Sequence, residues 1–148
     1  MKDVMILKAD KNDFVDIQIL FRKMFDIFSE DQDVEYPYTE SGINYIKNKI
    51  DTGTAIVAKK EGKVVGFLAF SIQKALDFKT YDKCGFLENM YVLEEYRKNG
   101  IGKSLITEFL NICHNNNIKY VNADSDANQN LINFYTGIGF KITGVEYT

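Results

Sequence analysis

The stretch from residue 84 to residue 113 most constrains the fold, because a strand pattern runs through one short glycine loop into a helix pattern. In "CGFLENMYV" (residues 84–92), one set of side chains alternates with another in the two-residue period of a strand. Apolar residues then recur between Ile101 and Cys113 at the three- and four-residue intervals of an amphipathic helix. A strand that leads directly into a long helix indicates an α/β layer.

The rest of the chain extends this unit to the element order β-α-α-β-β-β-α-β-α-β. Asp10, with Asp13 in the capping-box position, predicts a helix start, and an apolar stripe follows from Phe14 to Phe28. A shorter helix is expected from near Thr39, and a hairpin turns at Glu61-Gly62. Further strands are expected in "VMIL", "IKYVNAD" and "FKITGVEY", and another helix in "NQNLINFY". We therefore predict a single α/β domain over residues 1–148, a mixed twisted sheet of about six strands with helices on both faces.

Charge and apolar content exclude several classes of protein. A net charge of −3 and a sequence pI near 5.2 argue against a general nucleic-acid binder, which needs a basic face. The longest apolar stretch, Val64–Phe70, is too short to span a bilayer, and the N-terminus lacks a signal-peptide pattern. Two cysteines form no disulfide framework, so a cytoplasmic location is expected. Asp124 and Asp126 lack a third ligand at useful spacing, so no metal is expected.

The loop "YRKNGIGKSL" (residues 96–105) ends in the Gly-Lys-Ser of an ATPase phosphate loop but lacks the rest of that motif. A Walker A loop needs Gly five positions before its Gly-Lys-Ser, where this chain has Arg97. The dinucleotide fingerprint also fails, because Leu105 occupies the position of its third glycine. Neither an ATPase nor a Rossmann-type site is therefore predicted.

What remains is the pattern Arg97-x-x-Gly100-x-Gly102 between a strand and a helix. Glycines allow the backbone to approach a ligand, and the first-turn N–H groups of a helix attract a pyrophosphate. Lys98 and Lys103 add positive charge to an acidic chain. On these residues alone, a pyrophosphate site and an ordinary turn with solvated basic side chains both remain open.

Two longer segments resemble a known superfamily. The strand "LENMYV" followed by "LEEYRKNGIGKSL" resembles motif A of the GNAT superfamily of acetyl-CoA-dependent N-acetyltransferases. The segment "NQNLINFYTGIGF" resembles its motif B, and the two motifs cover roughly residues 84–140 in the right order. The resemblance implies the GNAT fold, acetyl-CoA as cosubstrate, and direct acetyl transfer to a primary amine without a covalent acyl-enzyme.

The same resemblance implies which residues hold the cofactor. Backbone groups of Met90, Tyr91 and Val92 would bind the pantetheine arm, and Asn128 would contact its end. The pyrophosphate would bind the loop formed by Arg97, Lys98, Asn99, Gly100, Ile101, Gly102 and Lys103. Tyr135 would contact the cofactor and protonate the departing sulfur, a role that suits a phenol with a pKa near ~10. The residues alone also fit Tyr135 as a core side chain beside Phe134.

Glu88 is the candidate for accepting a proton from the amine. A charged residue inside an apolar strand suits this role, and its position resembles a carboxylate in the spermidine/spermine acetyltransferase branch, where "LED" replaces this "LEN". We expect burial to raise the pKa of Glu88 towards a useful value. A glutamate facing solvent at a sheet edge remains the alternative.

An acidic segment with tyrosines lies where the family has one wall of the acceptor site. Carboxylates and aromatic rings suit a cationic amine such as a polyamine, although a solvated acidic loop has the same composition. The residues concerned are Glu30, Asp31, Asp33, Glu35 and Tyr36. Acetylation of a protein lysine or N-terminus, and a non-catalytic acyl-CoA sensor, remain as alternative functions. Many family members have one more strand after the segment that ends here at Thr148, so we expect a homodimer in which a partner covers that sheet edge.

Overall fold

A five-stranded sheet forms the centre of the molecule in the computed structural model, which describes residues 3–28, 35–74, 83–125 and 129–143. Its strands follow chain order: β1 (Val4–Lys8), β2 (Ala55–Lys60), β3 (Lys63–Lys74), β4 (Lys83–Val92) and β5 (Tyr120–Ala123). Neighbouring strands are antiparallel except β4 and β5, which are parallel. The predicted mixed sheet is confirmed.

Within the described ranges, four α-helices flank the sheet: α1 (Phe14–Phe28), α2 (Glu40–Asp51), α3 (Ile101–Asn115) and α4 (Gln129–Ile138). The predicted capping box is present: the Asp10 carboxylate accepts from the Asn12 N–H, and the Asp13 carboxylate accepts from the Asp10 N–H. A short 3-10 turn, Lys11–Asp13, separates this cap from α1. Helix α2 starts next to Thr39, as the sequence predicted, and the Thr39 hydroxyl caps it by accepting from the Gly42 N–H.

Strand β3 is apolar along most of its length because helices cover both of its faces. On one face, Phe67 stacks on Phe21 of α1 at 4.6 Å between ring centroids. On the other, Phe70 packs against Phe109 of α3 at 5.0 Å. Positions 64–70 are all buried, the pattern of a strand enclosed on both sides. This core fixes where α3 begins and where β4 lies.

The β2–β3 hairpin forms at the predicted residues. Glu61 and Gly62 have φ values of 52° and 79°, the pair of positive angles that a type I′ turn requires. Lys60 and Lys63 pair directly across it.

The prediction of about six strands is wrong by one for the part of the chain that the structure describes. Residues 140–143 follow α4 without entering the sheet, and residues 144–147 of the expected last strand lie outside the described ranges. Ile142, one of the apolar positions that predicted a strand, is 65% exposed. Among the described helices, none is long and apolar enough to cross a membrane.

Candidate active site

Strand β4 contains a bulge at Glu88. Ala69 of β3 pairs with Asn89, but the next β3 residue, Phe70, pairs with Leu87. Glu88 is therefore the extra residue that β4 carries opposite β3, the arrangement of a β-bulge. Bulges bend a strand and redirect its side chains, and they occur often beside active sites.

Beyond this bulge, β4 also separates from β5. The β4–β5 pairing covers only Cys84–Leu87, so within the described residues the second half of β4 pairs with β3 alone. The Leu93 N–H donates to the Val65 carbonyl at 2.9 Å, and antiparallel bonding alternates along the strand. The backbone groups of Tyr91 therefore face β3. Those of Met90 and Val92 face the opposite edge of β4, where β5 no longer pairs with it.

The loop that follows β4 leads into the start of α3 through left-handed backbone. Lys98 and Gly100 have φ values of 65° and 80°, and Gly100, the N-cap, offers no side chain to the first turn. The first-turn N–H groups of α3 are thus left for another acceptor. Asn99 closes the loop by donating to the carbonyls of Tyr96 and Arg97 at 3.2 and 3.1 Å.

Basic side chains surround this helix start. Arg97, Lys98 and Lys103 are all exposed, whereas Ile101 is buried and presents only its backbone. The Arg97 Nε donates to the Val92 carbonyl at 2.9 Å, and its guanidinium lies 5.2 Å from the centre of the Tyr91 ring. These contacts orient Arg97 towards the open side of β4. Charge, free amides and the helix dipole together make this end of α3 suited to an anion.

Gly102 brings three elements to one point. A Cβ atom at this position would lie 3.3 Å from Cζ of Phe134 in α4 and 3.8 Å from Cε of Met90 in β4. Tyr135 follows Phe134 and packs edge-on against Phe140, with ring centroids 5.6 Å apart. Burial raises the pKa of Tyr135 above its ordinary value of 10.0, so the phenol keeps its proton at neutral pH. A neutral phenol therefore lies on the helix next to the uncapped start of α3.

On the other side of β4, the bulged Glu88 is held by two side chains from α2. The Tyr45 hydroxyl donates to Oε1 of Glu88, and Lys49 Nζ lies 3.0 and 3.1 Å from its two carboxylate oxygens. Lys49 also donates to the Phe70 carbonyl at 2.8 Å. The Asn89 side chain donates to the Tyr45 oxygen at 3.1 Å. We call Tyr45, Lys49, Glu88 and Asn89 the bulge network.

The expectation of a raised pKa at Glu88 is wrong. Partial burial pushes the pKa of Glu88 upward, but hydrogen bonds from Tyr45, Ser71 and Lys49, with the Lys49 charge, outweigh it. The resulting pKa of Glu88 lies below its usual 4.5. Burial, and then the hydrogen bond to Glu88, raise the pKa of Tyr45 far above 10.0. At neutral pH the network therefore holds an ionised carboxylate and a neutral phenol.

The expected acceptor wall lies only partly within the described residues. Tyr36 is half-buried in a short 3-10 turn, Tyr36–Tyr38, and packs edge-on against Phe25 with ring centroids 5.6 Å apart. This turn is fixed to α1 because Gln18 donates to the Pro37 carbonyl at 2.8 Å. Glu35 is exposed. Glu30, Asp31 and Asp33, and the cofactor residue Asn128, lie outside the described residues.

Sequence reasoning missed Tyr45 and Lys49. One signal could have identified Lys49: it follows Ile46 by three residues and Tyr45 by four, so it lies on the apolar face of α2. A lysine on a buried helix face needs a partner, and the charged residue in the neighbouring apolar strand is Glu88.

The chain is similar to known proteins in its sequence family and in its fold. The model of the "Acetyltransferase (GNAT) family" matches residues 21–140. The chain is similar to the aminoglycoside N-acetyltransferase AAC(6')-Iy in complex with CoA, with a TM-score of 0.79 and 17% identity over 98% of this chain and 92% of that one. It is also similar to a transcriptional regulator from Bacillus halodurans C-125 (TM-score 0.82, 19% identity, 98% and 97% covered). A third similar structure is a ribosomal-protein-alanine N-acetyltransferase from Brucella melitensis biovar Abortus 2308, with a TM-score of 0.72 and 16% identity over 98% of this chain and 96% of that one. At these identities the structural likeness shows a shared fold.

Proposed function

The chain belongs to the acetyltransferase (GNAT) family, and we propose that it transfers an acetyl group from acetyl-CoA directly to a primary amine of a small molecule. One observation carries this proposal: the uncapped start of α3, the half of β4 without β5, and the Tyr135-bearing helix α4 meet around Gly102. An anion site, an open strand edge and a proton donor are what a long thioester cofactor needs.

The cofactor would extend along these elements in order. The pyrophosphate would accept from the amides of residues 101–103, with Arg97, Lys98 and Lys103 neutralising its charge. The pantetheine arm would pair with the outward backbone groups of Met90 and Val92, as an added strand does. A backbone donor on the thioester oxygen would stabilise the negative charge that develops there during attack. Asn128 stays a prediction for the pantetheine end.

At the thioester carbon, the transfer forms one bond and breaks one. The amine nitrogen attacks the thioester carbon, the N–C bond forms, and the C–S bond breaks as Tyr135 donates its proton to the sulfur. An amine with a pKa of about 10.4 is unprotonated in only about one molecule in a few thousand at neutral pH. The ionised Glu88 would accept a proton from the attacking amine, directly or through water.

A small cationic amine, with a polyamine as the first choice, is the acceptor that we propose. Support comes from the acidic composition of residues 30–35 and from Tyr36 beside them. The carboxylate of Glu88 does not by itself favour a polycation, because Lys49 already neutralises it. Aminoglycosides and amino acids are the next candidates, and a protein lysine or N-terminus is the rival class.

A thiol-release assay with a panel of amines tests the proposal. The panel contains a polyamine, an aminoglycoside, free amino acids and a lysine peptide, each at saturating acetyl-CoA. We expect release of CoA with the polyamine above all others. Faster turnover of the peptide would favour the protein-acetylating alternative, and CoA binding without turnover of any amine would favour a sensor. The predicted homodimer and cytoplasmic location stay predictions, which sedimentation and fractionation can test.

A further inference from the structure

Lys49 is a buried ammonium whose contacts all lie at the β4 bulge. The residue is 8% exposed. Its three nearest acceptors are the Phe70 carbonyl at 2.8 Å and the two oxygens of Glu88 at 3.0 and 3.1 Å. An ammonium has three protons to donate, so this set of acceptors matches its capacity.

These contacts join two strands at the point where their pairing slips. Phe70 belongs to β3 and borders the register shift, while Glu88 is the extra residue of β4. A lysine is a poor choice for a buried helix face unless its charge has a partner. Its presence in α2 therefore indicates a role at the bulge rather than simple packing.

We propose that Lys49 is a positioning residue on the amine-binding side of β4. It links the Glu88 carboxylate to the Phe70 carbonyl and so holds that carboxylate ionised and in one orientation. The inference rests on the proposed function, because it assumes that Glu88 receives the proton of the amine. Lys49 itself acts only through Glu88 and does not need to touch the substrate.

The groups that face Glu88 come from three elements. From α2, Lys49 donates to the carboxylate with its positive charge and Tyr45 donates with its hydroxyl. From β3, the Ser71 hydroxyl also stabilises the ionised form. From β4, the Asn89 side chain donates to the Tyr45 oxygen. Among the described residues that act on Glu88, Lys49 is thus the one cation.

Removal of the Lys49 cation should change the pH at which the Glu88 carboxylate takes up a proton. Burial disfavours the ionised carboxylate, and without Lys49 only neutral donors oppose that effect. Glu88 in a Lys49→Met variant should therefore take up a proton at higher pH than in the wild type. The acetyl-CoA site, on the α3 side of β4, should be little affected.

The experiment compares kcat between about pH 3 and about pH 9 at saturating acetyl-CoA and amine, because the pKa of Glu88 in the wild type lies below 4.5. In Lys49→Met, the acid limb of the kcat profile should move upward by about one pH unit or more, while KM for acetyl-CoA changes less than about twofold. Lys59→Met is the matched control, because Lys59 Nζ pairs with the buried Asp13 at 2.8 Å, away from the bulge. Lys59→Met should keep the acid limb of the wild type. An unmoved limb in Lys49→Met, or an equal shift in both variants, would overturn the proposal.

A second pair of variants separates positioning from folding. In a Glu88→Gln background, Lys49→Met should add less than about a twofold further loss of kcat, because Lys49 acts through the carboxylate that is already gone. If Lys49→Met alone does not fold, this double variant should fold again, since it removes both members of the pair. Independent losses that multiply, or a double variant that stays unfolded, would contradict the proposal.

Failure of the proposed function can be told apart from failure of this inference. If no amine is acetylated by the wild type, the carboxyl carbon of Glu88 can still be titrated by ¹³C NMR, with Glu88→Gln identifying its signal. A higher midpoint in Lys49→Met than in the wild type supports the inference without any turnover. Equal midpoints in the two proteins would refute it even where amines are acetylated.

Discussion

The two sides of β4 are built on different principles. On the α3 side, the site is mostly backbone: amides at the start of a helix, left-handed residues at 98 and 100, and outward groups of Met90 and Val92. On the α2 side, the site is mostly side chains, with Tyr45 and Lys49 enclosing Glu88. Contiguous residues form the first, whereas residues more than thirty positions apart form the second.

This difference has consequences for how each side should respond to mutation. The basic side chains on the α3 side, Arg97, Lys98 and Lys103, are exposed, so changes there should alter cofactor affinity more than stability. The bulge network is partly buried and charged, so changes there should alter stability and pH dependence together. The predictions below test this contrast, from the largest expected effect to the smallest.

Tyr135→Phe should lower kcat by about 10²-fold or more, because it removes the proton donor for the sulfur and little contact area. The Kd for acetyl-CoA should change less than about twofold, as calorimetry can measure. Tyr120→Phe, at a tyrosine of β5 that is 48% exposed, is the control and should retain kcat. Equal losses of kcat and affinity in Tyr135→Phe would instead indicate a packing role.

Gly102→Asp should weaken CoA binding by about ten- to a hundredfold, since it places negative charge beside the pyrophosphate site and bulk against Phe134. Gly102→Ala adds the bulk without the charge, and it should cause a smaller loss. Calorimetry with CoA distinguishes the two. Unchanged affinity in Gly102→Asp would show that the phosphate binds elsewhere.

Glu88→Gln should destabilise the protein by about 1.5–3 kcal/mol at neutral pH, because Lys49 loses a charged partner. The pKa of Glu88 is lowered by folding, so the wild type gains stability from it above the unfolded pKa and loses it as pH falls through the folded value, below 4.5. The difference between wild type and Glu88→Gln should therefore shrink in acid. Urea denaturation at neutral pH and near pH ~3 measures both values. A difference that grows in acid would contradict the assigned direction.

Gly100→Ala should cost about 1–2 kcal/mol, since φ at this position is 80° although a Cβ would meet no atom within 4 Å. Gly137→Ala, in the last turn of α4 with similar open space and no positive φ, is the matched control. It should stabilise the protein by about 0.4–1 kcal/mol. Thermal denaturation of both variants gives the comparison, and similar effects in the two would refute strain at Gly100.

Most of the fold was predictable because its signals are local. The capping box at Asp10, the helix start near Thr39 and the hairpin at Glu61-Gly62 each depend on a few adjacent residues, and all three are confirmed. The strand expected after Gly139 was not confirmed, since apolar alternation in "FKITGVEY" does not reveal whether a neighbouring layer covers it. Burial of that segment is a tertiary property.

In the candidate site too, features that depend on adjacent residues were predictable and features that depend on tertiary packing were not. The glycine loop at Arg97–Lys103 could be identified from sequence, because its chemistry lies in backbone geometry that glycine spacing encodes. The lowered pKa at Glu88 could not, because its causes are the hydrogen bonds from Tyr45, Ser71 and Lys49 and the Lys49 charge. Only the packing of α2 on β3 and β4 brings these groups together. Burial alone predicted the opposite direction of the shift.

The central claim is that amides at the start of α3 bind the diphosphate and so direct the thioester towards Tyr135. A crystal structure of the protein with CoA tests this most directly. The account predicts phosphate oxygens within hydrogen-bonding distance of the amides of residues 101–103, and the CoA sulfur within reach of the Tyr135 hydroxyl. A CoA bound away from α3, or a Tyr135 hydroxyl turned away from the sulfur, would contradict it.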